Sequence, residues 1–514
     1  MNKGIIAFVG IALLLVASLY LLSTKDQSTG AAQADLVLYC AAGVKPAVVP
    51  LAQQFEREYG QKVQLMYGGS GTLLSNIQVA PQGDLYIAAD QSYIEMAAQK
   101  ELIAETLPLA WLRPVIVVAK GNPKNIRSLE DLKRSDVRIA LGNPGTASIG
   151  RQTQKLLESA GVWGQVKKQV EQNGVFKPTV SEVANDVKLG AVAAGIVWDA
   201  TVAQYPELEA VKVELFEEAR QQISVAVLAS SKQPTAALRF ARYLNSRVGN
   251  AVFAERGFEA VEGDQWAWHP ELTFFCGSVN RRAVDDVIKA FECREGATVN
   301  TIYNGCGILT GQMRTINQET GSGFPDVYMA CDRYYLENVR DWFQEDVDIS
   351  EADIVIAVPK GNPKNIQGIA DLAKDGMRIS VGQPEQCTIG ALTRIMLEKM
   401  GVYDQVMKNV VMQTASSSML VPTVSTNSVD ATISYITDTK AESDKVDSVR
   451  IDSLYAKAIQ PFSIACSSDY KFLGRRLFKD ISAAEERFVK AGFRFRLGSQ
   501  GTIVPSESVI ENTE

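Results

Sequence analysis

From Asp35 onward the chain alternates between two hydrophobic rhythms. Short apolar runs rich in strand formers, LVLYC at 36–40 and KVQLMY at 62–67, each give way to apolar residues spaced three and four apart, in Lys45–Tyr59 and Thr72–Val79. The next pair is DLYIAAD followed by QSYIEMAAQ, a helix for which Asp90 is placed as N-cap. Further on, PVIVVA predicts a strand over 114–119, SLEDLKR a short helix, RIALG a strand and RQTQKLLESAG a helix. AAGIVWD and QISVAVLAS predict two more strands, and Thr235–Arg256 the closing helices. Strands alternating with helices point to a doubly wound α/β fold. Gly-rich turns stand where strands run into helices, and backbone N–H groups at such places can hold an anion.

The same pattern then recurs. KGNPKNI occurs at Lys120–Ile126 and again at Lys360–Ile366. Around it, CAAGVK from Cys40 matches CGSVNR from Cys276, YGGSGTL from Tyr67 matches YNGCGIL from Tyr303, and DLYIAAD from Asp84 matches DVYMACD from Asp326. RIALGNPGTASIG from Arg138 matches RISVGQPEQCTIG from Arg378, and ATISYITD and FSIACSS supply the last two strands. An offset of about 240 residues is far too long for a solenoid repeat, so the unit is a whole domain. The expected organisation is a spacer through residue 34, a first unit at 35–261, a linker at 262–270, a second unit at 271–497 and a polar tail at 498–514. The single histidine, His269, falls in the linker beside Pro270 and is read as structurally ordinary. Asp90 and Asp332 are read as helix caps, and the KGNPKNI lysines as solvated turn residues.

The N-terminus departs from this rhythm. Lys3 precedes the uncharged run Ile5–Leu22. About 18 residues at ~1.5 Å each reach roughly 27 Å, enough to cross a bilayer. The run is long for a secretory h-region, and Ala32-Gln33-Ala34 lies far from it. An uncleaved transmembrane anchor is expected, with a cleaved signal peptide as the alternative, and either way the bulk of the chain is extracytoplasmic. Composition adds exclusions. A net charge of −7 without a basic run argues against nucleic acid. No Walker loop, HExxH or G-x-S-x-G occurs, so no catalytic residues are expected and the chain reads as a binding protein, not an enzyme. Seven cysteines, only Cys40 of them in the first half, show neither CxxC nor a zinc spacing.

YCAAGVKPA, GGSGTLLSNI, DLYIAAD, NPGTASIG and AAGIVWDA together resemble the substrate-binding proteins of molybdate ABC transporters. The resemblance covers nearly all of 35–260 and, more loosely, 271 to about 497. It implies type II periplasmic-binding-protein units, each of two doubly wound α/β lobes closing on a ligand about a hinge. It implies a tetrahedral oxyanion, molybdate or tungstate, handed to a membrane ABC permease, with no cofactor. It places the first site at Ala42, Gly43, Gly69, Ser70, Gly71 and Thr72, opposed by Ala147, Ser148 and Trp198. The family commonly has a hydroxyl residue where this chain has Gly43, and Tyr where it has Trp198; Trp Nε1 donates but cannot accept, which suits an acceptor-only ligand. Sulfate, ferric iron or a small organic acid on the same fold, and a membrane-tethered sensor that transports nothing, are the competing readings.

The matching positions of the second unit are Ser278, Val279, Gly305, Cys306, Gly307, Ile308, Cys387, Thr388 and Tyr435. Cys276, Cys306, Cys331 and Cys387 map near one cleft mouth. Three explanations stand: small residues in a related anion site, a disulfide tying the lobes, or thiolates holding a soft metal such as Cu(I) or zinc.

Overall fold

The structure, a computed structural model, describes residues 34–319 and 323–497. The expected anchor Ile5–Leu22 and the tail after 497 lie outside the described residues. Among the described residues no helix is long and apolar enough to cross a membrane. The chain divides into two compact units, one running to Phe240 and including Val252–Ala260, the other comprising Ala241–Ala251 and the residues from Val261.

In the first unit, β1 (Leu36–Ala41), β2 (Val63–Gly68) and β3 (Leu85–Ala88) lie parallel in the order β3-β1-β2. Their connections are helices Lys45–Tyr59 and Ser70–Val79, whose apolar stripes bury Val48, Leu51 and Phe55, and Leu73, Leu74 and Ile77. Ser70 and Gly71 already belong to the second of these helices, so it begins earlier than the periodicity from Thr72 suggests. β4 (Ile103–Leu112) leads out of this lobe into β5 (Pro114–Ala119) of the other. There β6 (Ile139–Gly142), β7 (Val175–Lys177), β8 (Ala194–Trp198) and β9 (Leu208–Val211) join β5 in the order β7-β6-β8-β5-β9. The chain returns as β10 (Gln221–Leu228), antiparallel between β3 and β4, and β11 (Glu259–Ala260) covers the β4 edge. SLEDLKR forms only a 3-10 turn at Glu130–Lys133.

The second unit repeats this plan with one difference. β12 (Glu271–Gly277), β13 (Thr298–Asn304) and β14 (Val327–Met329) reproduce β1–β3 in register: Cys276 faces Tyr303 and Met329 as Cys40 faces Tyr67 and Ile87. One 17-residue strand, β15 (Phe343–Pro359), replaces β4 and β5 and passes through both lobes. β16 (Ile379–Gly382), β17 (Val410–Thr414), β18 (Ala431–Tyr435), β19 (Val446–Arg450), β20 (Lys457–Ala465) and β21 (Arg494–Phe495) complete a 10-stranded sheet. The cause is local. Pro114 has no N–H to offer where Ile354 N–H bonds to Ala456 O at 2.9 Å, so the ladder breaks in the first unit and continues in the second.

The segment expected as a linker is pinned to the second unit. Both carboxylate oxygens of Asp264 accept backbone N–H groups, from Phe472 and Leu473 at 2.9 Å, at the start of helix Lys471–Ser482.

Candidate functional site: an interlobe cleft in each unit

In each unit the strand-end turns of the two lobes meet. In the first, the short turn Ala42–Val44 follows β1 and brings Gly43 near Trp198, which ends β8 and is 1% exposed. Gly69 and Ser70 open helix Ser70–Val79 and face the loop Asn143–Ala147 of the other lobe. The approach is close: a Cβ on Gly69 would stand 2.2 Å from Thr146 O and 2.6 Å from Pro178 O. Gly71 N–H donates to Thr146 O at 3.0 Å, so it latches the lobes together and is not free for a ligand. Asn143 holds the opposing loop, its carbonyl accepting Ala147 N–H at 2.9 Å and its Oδ1 accepting Gly145 N–H at 2.8 Å. Ala147 is then the N-cap of helix Ser148–Ser159, with Ser148 buried in its first turn.

Two groups stand out as donors. Ser70 Oγ accepts Ala89 N–H at 3.2 Å, which leaves its own hydrogen to give. Trp198 Nε1 is buried and has no hydrogen-bond partner; a buried N–H left in that state is costly unless something fills the site. Thr72 is exposed, unlike its helix neighbours Ser70, Gly71 and Leu73.

The second cleft has the same frame and different chemistry. Ser278, Gly305, Cys331, Cys387, Thr388 and Tyr435 line the cleft, which is closed too tightly to hold a water molecule. Tyr435 Oη and Thr388 Oγ1 are buried without a hydrogen-bond partner. Burial raises the Tyr435 hydroxyl well above its ordinary range, with Cys331 and Cys387 adding to the effect, so it remains a neutral donor. Burial likewise pushes the Cys387 thiol up to about 12. Val279 packs into the core, and a Cβ on Gly307 would meet Glu385 O at 2.2 Å, the counterpart of the lobe contact at Gly71.

Asp90 and Asp332 are caps as expected, accepting Ser92 N–H at 2.7 Å and Tyr334 N–H at 2.9 Å. Burial raises Asp332 to about 6, against the two backbone N–H bonds that lower it. The soft-metal set Cys276, Cys306, Cys331 and Cys387 is not assembled: among the described residues no three or more His, Cys, Asp or Glu side chains are placed to hold a metal ion. Nor does the closest thiol pair tie the lobes, because Cys306 and Cys331 both follow strands of the same lobe.

Sequence reasoning missed Pro178 in the first cleft and Ser416 and Ser417 in the second, all just after β7 or β17. The run Ser416-Ser417-Ser418 was the available signal.

Residues 36–259 and again 272–494 match the family described as bacterial extracellular solute-binding protein. The chain belongs to that family, as a tandem duplication. The relatives align over a stretch about as long as one unit and nearly as long as the whole relative. A putative binding protein of Haemophilus influenzae is 28% identical over 230 residues, which is 44% of this chain and 91% of that protein. The molybdate-binding protein ModA of Mycobacterium tuberculosis is 27% identical over 236 residues, 44% of this chain and 84% of the relative. Among solved structures, the substrate-binding domain of a putative molybdenum ABC transporter from Clostridium difficile aligns at 24% identity and a TM-score of 0.35, covering 44% of this chain and 99% of that one.

Proposed function

We propose that the first unit captures a tetrahedral oxyanion, molybdate or tungstate, outside the cytoplasmic membrane and delivers it to an ABC permease, with the N-terminal segment as tether. The observation that carries this reading is the unpartnered donor at matching positions of the two clefts, Trp198 Nε1 in one and Tyr435 Oη in the other. A tetrahedral oxyanion offers only acceptors, and converging neutral donors in a closed cleft satisfy it. The first cleft supplies such a set in Ser70 Oγ, the helix start at Ser148 and the indole N–H, and the named relative in Mycobacterium tuberculosis is a molybdate-binding protein. Tyr435 and Thr388 favour a second, related anion in the second unit. The soft-metal alternative has no assembled ligand set in the described residues behind it.

The test is thermal unfolding of the full chain with molybdate, tungstate, sulfate or phosphate. A ligand at 100 times its dissociation constant adds about 2.7 kcal/mol. A shift with molybdate and tungstate alone supports the reading. A shift with sulfate alone reassigns the ion, and no shift with any of the four removes the oxyanion.

A further inference from the structure

Three coordinated replacements distinguish the second cleft from the first. In structural register, Ala41 becomes Gly277, Ser70 becomes Cys306 and Ala89 becomes Cys331. They meet at one point. Cys306 Sγ and Cys331 Sγ are 3.1 Å apart, and Cys331 N–H donates to Cys306 Sγ at 3.1 Å, repeating the bond from Ala89 N–H to Ser70 Oγ. Gly277 makes room for both sulfurs: a Cβ there would lie 2.3 Å from Cys331 Sγ and 2.9 Å from Cys306 Sγ. The methyl present at Ala41 would therefore exclude the pair, so the glycine and the two cysteines form one arrangement.

We propose that Cys306 and Cys331 form a redox-active dithiol, which thiol–disulfide exchange with a small or protein disulfide closes into a reversible intramolecular bond. Forming it asks the sulfurs to approach by about 1 Å. The Cys306 thiolate attacks one sulfur of the oxidant RSSR, giving a mixed disulfide and one RSH. Cys331 then loses its proton and displaces the second RSH from the Cys306 sulfur. Two thiols become one disulfide, and the oxidant takes both electrons and both protons as two RSH.

Cys306 is the suited nucleophile. Its sulfur lies at the N-terminus of helix Cys306–Glu319 and receives a backbone N–H, both of which favour the thiolate. Burial raises that thiol, but the Cys331 thiol and N–H outweigh it and bring Cys306 below its ordinary range, while Cys331 is held well above. Thr388 and Tyr328 hydroxyls stand near the same sulfur without meeting hydrogen-bond geometry. Cys331 borders the closed cleft, so lobe opening is the route by which an oxidant enters. Once oxidised, Cys331, whose thiol borders the cleft, has no hydrogen to donate, and the cleft loses a donor. That consequence rests on the anion reading of the second cleft; the disulfide itself does not.

The experiment takes the full chain, fully reduced and then exposed to oxidised glutathione. Remaining thiols are alkylated in denaturant, and the digest is read by mass spectrometry. The expected product is a Cys306–Cys331 cross-linked peptide, two hydrogens lighter, that dithiothreitol reverses, that disappears in Cys306→Ser and that persists in Cys276→Ala. The first unit already carries serine at this place, so Cys306→Ser should keep its fold, checked by circular dichroism. Recovery of both cysteines in alkylated form, or their linkage to Cys276 or Cys387 instead, overturns the proposal. A separate arm compares the thermal shifts that molybdate, tungstate, sulfate and phosphate each induce in the reduced and oxidised chain. A second-unit shift lost on oxidation supports the coupling to binding, and an equal shift in both forms overturns that coupling while leaving the cross-link result to stand or fall alone.

Discussion

Gly69 acts through the atom it lacks. Alanine there would press into two carbonyl oxygens of the facing lobe, Thr146 O and Pro178 O, so Gly69→Ala should bar closure without touching the core of either lobe. The expected result is normal folding with loss of most of the ligand-induced stabilisation, roughly a 100-fold weaker apparent affinity by calorimetry. Trp198→Phe tests the donor alone. The ring is kept and Nε1 is lost, which should weaken oxyanion binding by about 1–2 kcal/mol, near tenfold, with little change in the melting temperature of the unliganded chain. Asp438 is a residue whose effect depends on pH. It is nearly buried, its Oδ2 has no partner, and Arg282 stands 3.8 Å from its other oxygen. Burial raises it from 3.8 to about 6, with Arg282 and Ser417 opposing. A folded value above the unfolded one means its contribution to stability is complete below pH 3.8 and is lost as pH rises through 6. Asp438→Asn should therefore raise the melting temperature at pH 8, by up to about 3 kcal/mol of stability, and leave it nearly unchanged at pH 4.

At the scale of elements, the repeated heptapeptide is a self-contained turn. Gly121, Asn122 and Asn125 have φ of 81°, 46° and 49°, and Gly361, Asn362 and Asn365 have the same three values. Left-handed backbone is what Gly and Asn tolerate and other residues resist. Asn122 closes the turn with its side chain, donating Nδ2–H to Ile126 O at 2.7 Å and accepting Ile126 N–H at 2.9 Å; Asn362 does the same with Ile366. The two copies of the heptapeptide share one geometry. Asn122→Ala or Asn362→Ala should cost about 1–2 kcal/mol in denaturant melts and leave ligand affinity unchanged. The strand-end turns that form the clefts were legible for the same reason, since Gly-rich segments between an apolar run and a helical period have few other conformations. Pro178, Ser416 and Ser417 were not legible, because β7 is three residues long and the two copies read VFKPTVSEV and MQTASSSML there, with little in common.

At the scale of the whole chain, each unit carries its own hydrophobic core, the second as a large cluster spanning Leu272 to Leu497 and a smaller one of Ala357, Val421, Val424, Val429 and Val446. Calorimetry of the full chain should resolve two transitions, of which molybdate raises the one belonging to the first unit; a single transition that moves as a whole would show instead that the units melt together. Pro114 against Ile354 makes a difference on this scale too, since a continuous β15 and an interrupted β4–β5 give the two units unlike connections between their lobes.

The order of hydrophobic and polar positions by itself determined the alternation of strands and helices, the duplication, the caps at Asp90 and Asp332 and the turns that line the clefts, because each depends on residues near in sequence. Three matters were decided only in three dimensions. The Gly71 amide spends its hydrogen on Thr146 O, 75 residues further on, and so latches the lobes where composition suggested an anion donor. Of the four thiols mapped to one cleft, it is Cys306 and Cys331 that meet, because Gly277 on a neighbouring strand leaves them the space. Trp198 and Tyr435 stand with their polar atoms unpartnered in closed clefts, which depends on what every surrounding element fails to supply. Partners far apart along the chain leave no periodic trace in it, and only packing brings them within a bond length.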